Sequence, residues 1–273
     1  MKQISCTIIF LFLVLSMNAQ KSVMTFNIRY NNPNDQENWW ENRKQDVAKL
    51  IHYYEPDVLG IQEGLHDQVS YLNDHLENYA FVGVGRDDGV EKGEYAAIFY
   101  NQENLEPIQT KTYWLSDTPD IVSVGWDASM ERIVTYAHFK DKSSQKTIHV
   151  FNCHYDHIGK KARENSSKLI LELVGKLGTD QRIVVIGDLN SLPDSKPIQI
   201  LKTELQDAFE SSLTPAYGPI GTFNGFNPNE KLSSRIDYIL TKNMAVQRFR
   251  TIDDRRKNDL YPSDHLPIMI IVD

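Results

Sequence analysis

Tyr261-Pro262-Ser263-Asp264-His265-Leu266-Pro267, running into Ile268-Met269-Ile270-Ile271-Val272, decides how the rest of the chain is read. The Pro-Ser-Asp turn delivers an acid and an imidazole to the mouth of an apolar run, and such a run bounded by turn signals reads as a buried strand. Alone, Ser-Asp-His before a strand is as readily a capped turn. Its weight comes from company upstream: Thr25-Phe26-Asn27-Ile28-Arg29, Ile61-Gln62-Glu63, Asn152-Cys153-His154-Tyr155-Asp156-His157, Gly187-Asp188-Leu189-Asn190 and Arg235-Ile236-Asp237-Tyr238. Each places a polar ligand type at or just beyond an apolar strand.

In this order and with these residues, the set resembles the endonuclease/exonuclease/phosphatase family over residues 23–273. The resemblance implies a four-layer α/β/β/α sandwich, two packed mixed β-sheets flanked by helices, working as a divalent-metal-dependent phosphoesterase. It carries the catalytic roles to His154, Asp188, Asn190, Asp237 and His265, with Glu94 as the carboxylate behind His154 and Asp237 as the one behind His265. Glu63 is the implied metal ligand, with Asn27 and Asp264 beside it, and hard oxygen donors of this kind suit Mg²⁺ or Mn²⁺. Asp188 and Asn190, two positions apart beyond a strand end, can aim both side chains into one pocket. One departure narrows the branch: abasic-site members carry an acid two positions after the first-strand Asn, where this chain has Arg29.

Between these motifs the chain reads as α+β. Strands are expected at residues 23–28, 58–63, 81–84, 94–100, 131–140, 147–154, 182–186, 235–240, 244–251 and 266–272, with helices at 40–54, 66–76, 162–177 and 197–201. On the 147–154 strand, alternation sets Asn152 and His154 on one face and Cys153 on the other, so Cys153 is expected to be inert. No Gly/Ser/Pro-rich linker divides residues 20–273, and one domain is expected.

Residues 1–19 carry Lys2, an apolar stretch from Ile8 to Leu15 and a small-residue end. That is too short to span a bilayer and reads as a secretory signal cut near Ala19 or Gln20, giving an exported, periplasmic or extracellular protein; an uncleaved anchor is the alternative. The formal charge of −8 is badly matched to a polyanion whose binding is driven by counterion release. The expected substrate is therefore a small phosphorylated molecule, such as a sugar phosphate, inositol phosphate or lipid head group. A secreted nuclease on DNA or RNA is the alternative, and a non-catalytic binding protein on the same fold a weaker one. Stable membrane insertion is not expected, and a monomer is.

Candidate substrate contacts are Arg29, Arg86 in the charged loop 86–93, Asp156, His157, Tyr113, Trp114, Thr222 and Phe223. Each has a plainer reading. Loop 86–93 is equally a solvated hairpin turn, the aromatics Tyr113 and Trp114 are more readily core, and Asp156 and His157 are equally loop residues supporting the site. Structural zinc is not expected, because His149 and His154 sit on opposite faces of one strand and no cysteine cluster exists. A serine hydrolase is excluded because no Gly-x-Ser-x-Gly elbow is present.

Overall fold

Alternating side-chain direction along Lys21–Asn27 (β1) turns Met24 and Phe26 toward one layer of core and Val23 toward another, so β1 is covered on both faces. The computed structural model describes residues 20–273; the expected signal segment lies outside them. After β1 come Trp40–Tyr54 (α1), Val58–Gln62 (β2), His66–His75 (α2), Tyr79–Val82 (β3), Ile98–Asn101 (β4) and Leu105–Trp114 (β5). Ile133–Asp141 (β6), Thr147–His154 (β7), Lys160–Gly175 (α3), Ile183–Asp188 (β8) and Lys196–Leu201 (α4) follow. Gln206–Asp207 (β9), Ala208–Ser211 (α5), Asp237–Lys242 (β10), Val246–Thr251 (β11) and Ile268–Val272 (β12) complete the chain.

The strands form two six-stranded sheets, ordered β11-β12-β1-β2-β4-β3 and β5-β6-β7-β8-β10-β9. Only β1–β2 and β7–β8 pair in parallel, so both sheets are mixed. Three apolar layers hold them. Between the sheets lie Val23, Val58, Val150, Val184, Ile186, Ile239 and Ile270. Outside the first sheet, α1 and α2 pack Val47, Ile51, Val69 and Leu72 onto Met24, Phe26, Leu59 and Phe99. Outside the second, α3 and α4 pack Ile170, Val174, Ile198 and Leu201 onto Phe151, Cys153, Val185 and Leu240. This is the four-layer α/β/β/α sandwich.

One glycine and one amide show how closely the sheets approach. A Cβ at Gly60 would stand 2.5 Å from Ile186 Cδ1 and 2.8 Å from Asn152 Oδ1, so only glycine lets β2 lie against the opposite sheet. Asn152 spans the gap: its amide donates to the Ile61 and Ala97 carbonyls at 2.9 and 2.8 Å and accepts from Gln62 at 2.6 Å.

Several expected boundaries shift. The strand expected at 94–100 begins only at Ile98, because Tyr95 makes an isolated bridge with Gly64 instead. The strand ending in Trp114 is ten residues long and mostly exposed, as an edge strand can be. The third helix starts two residues early, at Lys160, and closes at Gly175. None of the described helices is long and apolar enough to cross a membrane.

Candidate active site

All the motifs meet at one end of the sandwich because the strands that carry them end there. Asn27 pairs with Gln62 across β1–β2, His154 with Asp188 across β7–β8, and Asp237 with Asp188 across β8–β10. The chain then turns sharply just beyond these strand ends. Arg29, Glu63 and Asn190 all adopt left-handed backbone, φ 57°, 63° and 44°. For side-chain-bearing residues this costs energy, and such strain gathers where a site needs side chains aimed in directions a regular strand does not offer. Gly187 precedes Asp188 at φ 141°, and a Cβ there would fall 1.9 Å from the Cys153 carbonyl oxygen.

The turns line a cavity of about 600 Å³ that includes Arg29, Glu63, Arg86, Glu94, Arg132, His154, His157, Asp188, Asn190, Phe223, Asp264 and His265. At its centre Asp188 Oδ2 accepts from Asn27 Nδ2 at 3.0 Å and lies 3.8 Å from His154 Nε2 and 3.7 Å from His265 Nε2. Burial raises the Asp188 pKa, His265 opposes that and Asp237 reinforces it; the net direction is upward.

The two histidines are electrically unlike. Burial would lower the His265 pKa, but Asp237 and Asp188 outweigh it and hold the ring protonated well above its ordinary range; Nδ1 meets Asp237 Oδ2 at 2.9 Å. Burial and then the Arg132 guanidinium drive His154 down to about 3, so that ring is neutral at pH 7. Arg132 NH1 stands 3.3 and 3.2 Å from its two ring nitrogens. One imidazolium and one neutral imidazole thus flank a single carboxylate, an arrangement able to donate at one side and to donate or ligate at the other.

Two groups among the described residues could hold a cation: Glu63, His154 and Asp188, and Asp188, Asp237 and His265, each with ligand atoms within 4.8 Å of one another. The second is already closed by the Asp237–His265 hydrogen bond, so the first fits the ion better. Glu63 and Asp188 present hard oxygens, as Mg²⁺ or Mn²⁺ requires. An ion held there would neutralise phosphoryl oxygens and favour departure of the ester oxygen.

Other expected residues take different places. Asn27 turns its amide nitrogen to Glu63 Oε1 and Asp188 Oδ2, both at 3.0 Å, while its oxygen accepts from the Arg29 backbone N–H. In this position it braces the two carboxylates. Asp264, which burial pushes up to about 6, lines the cavity but stands outside both cation groups, 3.9 Å from Arg29 Nε. Glu94 is first the partner of Arg86, at 2.6 and 3.0 Å, and reaches His154 Nδ1 only at 3.5 Å. Asn190 gives its side-chain N–H to the Tyr155 carbonyl and lines the cavity.

Four expected substrate contacts are absent from the cavity. Trp114 is buried, its indole N–H bonded to the Arg86 carbonyl at 2.8 Å, and Tyr113 faces a different groove. Asp156 is buried and accepts from Ser129, Ile158, Gly159 and Arg132, which spends its oxygens on the loop. Thr222 is fully buried and its hydroxyl accepts from the Ile236 and Asp237 N–H groups at 3.1 Å, so it positions Asp237. Arg29, Arg86, His157 and Phe223 do line the cavity, and Phe223 stands edge-on to His265 at 5.1 Å.

Three supports went unread in the sequence. Arg132 joins His154, His157 and Asp156. Ser263, between the proline and the acid of the last motif, donates to the Asn27 carbonyl at 2.7 Å and ties β1 to that motif. Arg43, fully buried, donates to the Ile28, Arg29 and Pro262 carbonyls. Its signal was available, since Arg43, Val47, Leu50 and Ile51 fall on one helical stripe.

A four-layer sandwich that gathers carboxylates and two histidines over a cation site defines a metal-dependent hydrolase of phosphate esters. The chain belongs to the endonuclease/exonuclease/phosphatase family, whose model matches residues 24–265. It is 35% identical to an endonuclease/exonuclease/phosphatase from Bacteroides vulgatus, covering 93% of this chain and 98% of that one with a TM-score of 0.89. It is 34% identical to the Bacteroides thetaiotaomicron mannosyl-6-phosphatase, covering 93% and 99% with a TM-score of 0.88. D. rerio TDP2, solved with a single-strand DNA product, shares the fold at 17% identity, with 94% and 100% covered and a TM-score of 0.74.

Proposed function

We propose that this protein is an exported phosphatase that removes phosphate from small phosphorylated sugars. The observation that carries the reading is the cavity: its volume of about 600 Å³ suits a small ligand. Its arginines are paired with acids, Arg29 with Asp35, Arg86 with Glu94 and Arg132 with Asp156. The mannosyl-6-phosphatase at 34% identity and the formal charge of −8 support the same choice. Export rests on the leader-like residues 1–19 and is checked by sequencing the N-terminus of the mature protein.

In this reading Arg29 and Arg86 hold phosphoryl oxygens, Arg132 holds His154 and His157 in place, and Asp188 with Asn190 orients the attacking water. His265, kept protonated by Asp237, donates to the phosphoryl group as charge develops in the transition state, and neutral His154 completes its cradle. The metal ligands in this reading are Glu63 and Asp188.

A second reading, hydrolysis of nucleic-acid phosphodiesters, draws on the arginines around the cavity and on the fold shared with D. rerio TDP2. The experiment that separates the two is a comparison of kcat/KM on hexose 6-phosphates, a chromogenic phosphodiester, and single-stranded DNA and RNA at several salt concentrations. Preference for hexose phosphates is expected. Efficient cleavage of DNA or RNA that falls steeply with salt would install the nuclease instead.

A further inference from the structure

Away from the catalytic cavity, a second groove of about 560 Å³ lies between the end of β5, the loop that follows it and one face of α3. The two cavities share no lining residue. Two aromatic rings, Tyr113 and Trp126, face this groove, and both are half-buried. Each ring is held in place. Trp126 Nε1 donates to Asp117 Oδ1 at 2.9 Å, and Lys111 Nζ stands 4.6 Å from the centre of the Tyr113 ring. Trp126 is also presented from left-handed backbone, φ 52°, a conformation that costs a bulky residue energy. A fixed, half-exposed ring offers contact area while surrendering little conformational entropy on binding.

The polar lining narrows the ligand. Lys111, Lys168 and Lys176 are matched by Asp117, Asp120 and Glu172, so the groove has no net sign. Lys111 is engaged by Asp120 at 2.6 Å and Lys168 by the Asn165 amide oxygen at 2.9 Å. Such a lining gives an anion or cation no net attraction, yet it is dense in donors and acceptors. An uncharged, polyhydroxylated ligand matches both features: its C–H faces lie on the rings, and its hydroxyls pair with the carboxylates, ammonium groups and amide.

We propose that this groove is a binding site for a neutral saccharide, separate from the catalytic cavity. It does not depend on the substrate assigned to that cavity. A binding site of this kind would hold the enzyme on an oligosaccharide or at the remote sugars of a longer substrate.

The test is isothermal titration of the mature chain with neutral gluco-, manno- and xylo-oligosaccharides, and with a sulfated oligosaccharide and inorganic phosphate as the anionic arms. At least one neutral series is expected to bind, and Trp126→Ala to weaken it by roughly tenfold, the worth of one aromatic platform. Trp126→Phe should retain most of the affinity, and His265→Ala all of it. Turnover of a chromogenic phosphate ester should be unchanged in Trp126→Ala. Should that variant fail to fold, Asp117→Ala, which releases the indole from an exposed position, gives the same test. Absence of binding by every neutral series overturns the proposal. So does binding confined to the anionic arms, binding indifferent to Trp126 and Asp117, or binding lost in His265→Ala.

Discussion

His265 and Asp237 lie 28 positions apart and meet at 2.9 Å, and neither is exposed enough for water to replace its partner. They act as one unit. His265→Ala or Asp237→Asn should each lower kcat by about a thousandfold or more, with the double variant no worse than the poorer single one. Steady-state kinetics on the three variants checks this, and additive losses would mean independent roles. Thr222 stands one step behind: Thr222→Val leaves the Ile236 and Asp237 N–H groups buried without an acceptor. It should cost about 2 kcal/mol of stability and lower kcat more than it changes KM, with Thr222→Ser restoring both. Denaturant melts and kinetics on the pair read the two effects. At this scale the sequence was legible where a polar residue closes or opens a strand, because the strand fixes its direction; His154, Asp188 and Asp237 follow that rule, and Glu63 and His265 sit just outside β2 and β12. Thr222 and Asp156 do not, since a loop residue faces wherever its hydrogen bonds take it; Tyr113 and Trp114 end β5, yet one faces another groove and the other the core.

The elements were legible through periodicity, and their meeting point was not. The apolar residues along β1 and β7, the unbroken apolar run of β8 and the apolar stripe of α1 are written in the chain. The polar seam between the sheets is not, because Gln62 and Asn152 lie on different strands of different sheets and are matched only by packing. Asn152→Ala would strip the Ile61 and Ala97 carbonyls and Gln62 of buried partners. A loss of about 3 kcal/mol is expected. Because the seam lies beneath the strand ends that carry Glu63 and His154, turnover should fall in parallel. Denaturant unfolding followed with an activity assay checks it; a stable Asn152→Ala protein would show that the seam carries little.

Across the whole molecule, stability is tied to pH by buried acids. Burial raises the pKa of Asp141 and Asp156, but the Lys21 ammonium and Ser143 for the first, and Gly159 and Ser129 for the second, more than cancel it and hold both well below the ordinary carboxylate range. A folded-state pKa that is depressed contributes stability above the unfolded-state value, and that stability is lost as pH falls through the folded one. The melting temperature should therefore drop steadily from about pH 5 downward. In Asp141→Asn it should start lower at neutral pH and fall less steeply.

The central claim, a phosphate-ester hydrolase whose ion sits at Glu63 and Asp188, is tested most directly by one titration. Turnover of a chromogenic phosphate ester is measured after chelator stripping, as Mg²⁺ and then Mn²⁺ are added back, for the native chain and for Glu63→Gln. No turnover is expected in chelator, full recovery with either ion, and a much higher Mg²⁺ requirement in Glu63→Gln. Undiminished turnover in chelator, or an unchanged Mg²⁺ requirement in Glu63→Gln, would contradict it.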